Sequence, residues 1–157
     1  MLSDLLGAIW RRAPKTVRRW TVRLSHPRFA VTAGAVITDA RGRVLLLKHR
    51  FRPGTGWGMP GGFMEVGEQP EEALRRELRE EISLEVEKLQ LFTVRAFKSP
   101  MQVELVFTAE AIGDPDQLSF EIQKAAWFSR DELPDELPKD QAQLIERALK
   151  DGARPQD

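Results

Sequence analysis

The chain has no cysteine among its 157 residues, which excludes a disulfide framework, a thiolate metal site and a cysteine nucleophile. A reducing compartment fits that absence, and the expected location is the cytoplasm. Neither sign of charge is in excess. Lys plus Arg and Asp plus Glu each number 24, so net charge gives no signal of nucleic-acid binding. No apolar run approaches the ~18 residues of a membrane-spanning helix. The first residues show neither the apolar core nor the small-residue cleavage site of a secretory signal. Internal repeats are absent too. At 31% charged and 41% hydrophobic residues, the composition is that of an ordinary soluble domain with one core, neither disordered nor membranous.

The balanced total conceals an uneven distribution. Residues 1–28 hold seven basic side chains (Arg11, Arg12, Lys15, Arg18, Arg19, Arg23 and Arg28) against Asp4 alone, which leaves 17 basic and 23 acidic residues beyond them. Leu5, Leu6, Ile9, Trp10, Val17 and Trp20 interleave with those arginines in a helical rhythm broken at Pro14, which predicts a basic amphipathic helical extension over 1–27. Two uses for it stay open: packing across the rest of the chain or against a second copy in a homodimer, or contact with RNA or an anionic membrane. A single domain is expected over 28–150, with a frayed tail at 151–157.

Within that domain, Phe29 to Thr38 and Val44 to Leu47 flank the turn-forming Asp39-Ala40-Arg41-Gly42 and predict a hairpin. His49 to Gly58 reads as a basic loop. Pro70 suits the first turn of a helix whose Leu74, Leu78 and Ile82 recur every fourth residue. Strands are expected over Leu89–Phe97, Met101–Ile112 and Ile122–Phe128, the second with Val103, Leu105 and Phe107 on one face. Asp140 is expected to cap a final helix with Ala142, Ile145, Ala148 and Leu149 toward the core.

The helix from Pro70 carries the chemistry. Glu77, Glu80 and Glu81 stand three and four residues apart on one face, where like charges destabilise an isolated helix by a few tenths of a kcal/mol per pair. Such a face calls for a positive partner, and a hard divalent cation is the natural candidate. Glu71, Glu72, Arg75 and Arg79 on the same helix read as a solvated face.

Gly62, Glu68, Arg76, Glu77, Leu78, Glu80, Glu81 and Leu84 follow the spacing Gly, five residues, Glu, seven residues, Arg-Glu-aliphatic-any-Glu-Glu-any-Gly-aliphatic. In this signature, and in Pro60-Gly61-Gly62 leading into it, the chain resembles the Nudix hydrolases. Ser83 is the one departure, standing where the family has a helix-ending glycine. The resemblance implies an α/β fold, an alpha-beta-alpha sandwich around a mixed central sheet. It also implies a Mg²⁺-dependent pyrophosphohydrolase, with Mn²⁺ as a substitute, that cleaves a nucleoside diphosphate linked to another moiety. By the same resemblance Glu77, Glu80, Glu81 and the Gly61 carbonyl would be the metal ligands, and Glu80, Glu81 and Arg76 would serve catalysis, Arg76 by holding the glutamates. Glu68 would support the loop. A further ligand or base outside the signature would be Glu121 first and Glu104 second.

The substrate is less plainly written. Pro100, sixteen residues after Leu84 and preceded by Ser99, resembles the ADP-ribose and nucleotide-sugar branch, where Glu104 would be the downstream glutamate; Met101 replaces that branch's usual glycine. The chain has no tyrosine, which removes the residue often associated with diadenosine polyphosphate specificity. His49, Arg50 and Arg52 in the basic loop would contact phosphate or a terminal sugar, while Trp57 and Trp127 read as packing residues. ADP-ribose or a nucleotide sugar is the expected substrate. The alternatives are a nucleoside triphosphate, dinucleoside polyphosphate or capped-RNA hydrolase, and a non-catalytic binding module, the last disfavoured because every glutamate of the signature is kept.

Overall fold

The computed structural model of the protein describes residues 10, 12, 14–17, 27–51 and 56–152. Most of the extension expected over 1–27, the tail from 153 and Arg52 lie outside those residues; Trp10 and Val17, which are described, are exposed. The elements in chain order are β1 (Ala30–Thr38), β2 (Val44–His49), β3 (Trp57–Gly58), β4 (Gly61–Phe63), α1 (Pro70–Ile82), β5 (Glu85–Phe97), β6 (Gln102–Ile112), β7 (Ile122–Phe128), a 3-10 turn (Arg130–Glu132) and α2 (Lys139–Gly152). Among the described residues, no helix is long and apolar enough to cross a membrane.

The strands form one mixed sheet in the order β3-β2-β1-β6-β5, with β4 on β1 and β7 on β2. β1 runs parallel to β6 from Ala30↔Gln102 to Thr38↔Glu110, and the other pairs are antiparallel. The expected β1–β2 hairpin forms and is short: the Asp39 N–H donates to Arg43 O across the turn, and the registered pairing is Thr38↔Val44. Beyond that point β1 turns its edge to β4, pairing Ala33↔Gly62 and Gly34↔Gly61, while β2 turns to β7. The loop expected over His49–Gly58 closes with the short β3 on Lys48 and Leu47.

Both faces of the sheet are covered, so its central strands read as continuous apolar runs and not as alternation. On one face Ala33, Ala35, Ile37, Leu45, Leu47, Phe107 and Ala109 pack with Leu74, Leu78 and Ile82 of α1. On the other, Val36, Val44, Leu46 and Val106 pack with Leu144, Ile145 and Ala148 of α2. Leu144 was outside the expected α2 core face; Ala142 and Leu149 pack at its margin. Asp140 is not the helix cap, because α2 begins one residue earlier and the Gln141 and Ala142 N–H groups donate to Pro138 O. Its carboxylate instead accepts from Arg95 Nη1 at 3.0 Å.

α1 ends at Ser83, whose φ of 52° and ψ of 38° are left-handed. The Ser83 N–H donates to Arg79 O at 3.1 Å and Leu84 N–H to Leu78 O at 3.2 Å, and Leu84 then buries its side chain beside Leu78. The backbone geometry therefore keeps the conformation natural to glycine while the sequence places a Cβ in it. Ser83→Gly should relieve that clash by more than it loosens the unfolded chain, for a net gain of about 0.5–1 kcal/mol. Thermal denaturation would register this as a Tm rise of roughly 1–4 °C; an unchanged or lower Tm would mean that the serine is unstrained.

Candidate active site

Arg76 organises the loop–helix junction. Its Nε donates to Glu68 Oε1 at 2.9 Å and its Nη2 to Glu68 Oε2 at 3.1 Å, a two-pronged pairing. Nη1 donates to Glu77 Oε1 at 3.0 Å and Glu80 Oε2 at 3.2 Å, and Nη2 also reaches Phe63 O at 3.0 Å. All five N–H donors of the guanidinium are thus engaged within the motif, so Arg76 positions carboxylates and has no donor left for a ligand. The arrangement raises the Arg76 pKa, with Glu68 as the largest cause. It lowers that of Glu68, whose carboxylate also accepts the Glu65 N–H at 3.0 Å.

The two glycines before α1 are needed for different reasons. Gly61 has φ +138°, and a Cβ there would lie 2.2 Å from Ala33 O on the paired strand. A Cβ on Gly62 would lie 2.3 Å from Glu77 Cδ, so the missing side chain is the seat of the Glu77 carboxylate. The donor set fits a hard divalent cation. Glu77 Oε2 and Glu80 Oε1 hydrogen-bond to none of the described residues, while their partner oxygens are held by Arg76. Glu81 is mostly buried beside them. As Arg76 draws Glu77 and Glu80 toward itself, no group of three acidic or histidine side chains among the described residues converges into a cation cage.

The structure brings His49 to this cluster: its Nδ1 lies 4.0 Å from Glu81 Oε1, both side chains nearly buried. Arg50 points elsewhere. Its Nε donates to Phe120 O at 3.0 Å, its guanidinium lies over the Phe120 ring, and its N–H donates to Glu121 O. Glu121 is exposed in the turn just before β7. The preceding loop ends α1, Asp116 N–H donating to Ile82 O and Ser119 N–H to Glu81 O. Pro100 lies in the exposed turn between β5 and β6. Trp57 is buried edge-on against Phe128, and Trp127 Nε1 donates to Asp114.

Glu104 sits on the α2 side of the sheet, lining a cavity of about 280 Å³ with Thr32, Gly34, Gly61, Gly62, Phe63, Gln102 and Gln141 among its walls. β1 opens the space because the residues it turns toward α2 before Val36 are Gly34 and Thr32, too small to fill it. Gly62 is shared, facing the cavity and backing on Glu77. Arg95 clamps Glu104 Oε2 through Nε at 2.8 Å and through Nη2. Sequence reasoning missed Phe63, Gln102, Gln141 and Arg95. The two-residue step from Gln102 to Glu104 was the available signal for the first of the two glutamines; Gln141 reaches the cavity only through its bond from Met59 N–H, 82 residues away.

A mixed sheet between two helices, with a glutamate-bearing loop–helix gathered on one arginine, defines the Nudix architecture, and this chain belongs to the Nudix family: residues 28–148 match the NUDIX domain. It is 34% identical over 113 residues to the mitochondrial NAD(P)H pyrophosphatase NUDT13 of Homo sapiens, across 69% of this chain and 32% of that protein. With the NAD-capped RNA hydrolase NudC of Pseudomonas putida it shares 37% identity over 112 residues, covering 70% and 40% of the two chains. The crystal structure of the MutT NUDIX hydrolase from Burkholderia pseudomallei is similar at TM-score 0.68 and 30% identity, over 76% of this chain and 98% of that one. The chain therefore spans about a third to two fifths of the length of those two curated relatives.

The glycines can be told apart by stability. Gly61→Ala drives a Cβ into backbone at a left-handed φ and should cost ~3 kcal/mol or more. Gly62→Ala meets the end of one side chain and no backbone, so it displaces the Glu77 carboxylate from Arg76 and should cost less, about 1–2 kcal/mol; equal losses in urea titrations would contradict the assignment. Glu68 supplies a pH test. Because its folded pKa is depressed below the ordinary 4.5, its contribution is present above that pH and lost as pH falls through the folded value. The Tm gap between the parent and Glu68→Gln should be full at pH 7 and narrow progressively as the pH falls below 4.5; a gap independent of pH would remove Glu68 from the ion pair.

Proposed function

We propose that this domain hydrolyses the diphosphate of a nucleoside diphosphate joined to a second moiety, of the ADP-ribose and NAD(H) type. Water adds across one P–O–P bridge, so one P–O bond forms and one breaks, releasing a nucleoside monophosphate and a phosphorylated remainder. The observation that carries this reading is that Glu77, on the helix that also bears Glu80 and Glu81, seats its carboxylate against Gly62, which lines a cavity on its other side. Arg76 holds two of the three carboxylates in place, the arrangement that a cation-assisted hydrolysis needs.

The residues divide the work. Glu77, Glu80, Glu81 and the Gly61 carbonyl are the groups to hold Mg²⁺ or Mn²⁺, which when bound neutralises diphosphate charge and acts as a Lewis acid on phosphoryl oxygens. A glutamate of the cluster accepts the proton of the attacking water. Arg76 keeps Glu77 and Glu80 from repelling each other, and His49 lies against Glu81 at the buried side. The named activities of the two curated relatives support the choice of NAD(H)-type diphosphates over nucleotide sugars and nucleoside triphosphates, and the RNA hydrolase makes NAD-capped RNA a substrate to compare.

A panel of ADP-ribose, NADH, UDP- and GDP-sugars, dinucleoside polyphosphates, nucleoside triphosphates and NAD-capped RNA, assayed with Mg²⁺ or Mn²⁺ and with both products identified, tests this directly. ADP-ribose or NADH should show the highest kcat/KM and yield AMP. Glu81→Gln should lower kcat by at least about a hundredfold. Failure to cleave any compound, or a Glu81→Gln enzyme as active as the parent, sinks the reading.

A further inference from the structure

We infer that the cavity between β1, β4, β6 and the start of α2 is a nucleobase pocket that selects a base offering an N–H donor beside a ring acceptor, adenine first among them. This inference rests on the proposed diphosphate chemistry for its ligand class. At about 280 Å³ the cavity falls just below the roughly 300–1,000 Å³ of pockets that take whole ligands. It suits one part of a dinucleotide. It adjoins the carboxylate cluster through Gly62, so a nucleotide lying across that glycine puts its diphosphate by Glu77 and its base in the cavity.

The walls name the base chemistry. Phe63 lines the cavity yet leaves 63% of its surface exposed and belongs to neither core cluster; a flat apolar face at a polar cavity is a stacking platform. Arg95 occupies Glu104 Oε2 twice, leaving Oε1 as the acceptor that faces Gly34. Gln141 is fixed in orientation, because Met59 N–H needs an acceptor and takes Oε1 at 2.9 Å. Its NH2 group is therefore the end left to donate. One acceptor and one donor complement the amino group and ring nitrogen N1 of adenine. Guanine would bring two N–H donors side by side to a carboxylate, and the second oxygen it needs is held by Arg95. Asp140, bound to Arg95 Nη1 at 3.0 Å, anchors the clamp to α2 beside Gln141.

Binding of the product nucleotide tests the pocket without any chemistry. Titration calorimetry with AMP and with purine riboside 5′-monophosphate, which differs only by lacking the 6-amino group, should give AMP about tenfold tighter or better. Glu104→Gln should shrink that ratio severalfold, because a neutral amide replaces the charged acceptor. Phe63→Leu, at an exposed position where folding is not at stake, should weaken both nucleotides to a similar degree and leave their ratio unchanged. If the protein binds AMP with this preference yet hydrolyses nothing on the substrate panel, the pocket stands and the catalytic reading falls. If it hydrolyses diphosphates but binds both nucleotides equally, or if UMP and AMP bind alike, the pocket assignment is overturned while the catalytic one survives.

Discussion

The guanidinium of Arg76 stands among carboxylates that would otherwise push one another apart. Glu77 and Glu80 sit on one helical face, Glu68 arrives from the preceding loop, and each gives at least one oxygen to the same cation. With all five donors engaged, the arginine closes the loop onto the helix through Phe63 O as well. Positive charge supplied by the chain thus fixes where the negative charge points, and the outward oxygens of Glu77 and Glu80 are left for a ligand. Without that fork the loop would lose its anchor and the glutamates their common direction.

The sheet makes this junction possible by bringing backbone closer than any side chain would allow. β1 meets β4 through Gly34 and Gly61, and the Glu77 carboxylate occupies the space beside Gly62. α1 and α2 divide the sheet faces between them, α1 supplying carboxylates and α2 supplying Gln141 and Asp140. Small residues of β1 on the α2 face leave an opening at the strand's start, where a bulkier pair would have extended the core formed by Val36, Val106 and Ile145.

Much of the fold was legible because its signals are local. The four-residue recurrence of Leu74, Leu78 and Ile82 marked α1, and all three are fully buried; the apolar run Val44–Leu47 marked a central strand, buried on both faces. The short β3 and the start of α2 at Lys139 were not legible, since two-residue strands and cap positions depend on partners distant in sequence. Ser83 was recognisable as an irregular helix end, but only backbone angles show that the left-handed turn is kept.

The sequence by itself determined the chemical character of the site: an arginine and four glutamates at fixed spacing carry one chemistry because helical periodicity alone puts Glu77, Glu80 and Glu81 on one face. Tertiary structure decided which outlying residues join them. It placed His49 against Glu81, turned Arg50 toward Phe120, set Pro100 in a solvent-facing turn, and brought Glu104 and Gln141 to one cavity, with Arg95 holding Glu104 and Asp140 holding Arg95. The physical reason is range. Spacing along a helix or strand fixes neighbours three or four residues apart, whereas contacts between residues 82 apart exist only once the sheet has chosen its register.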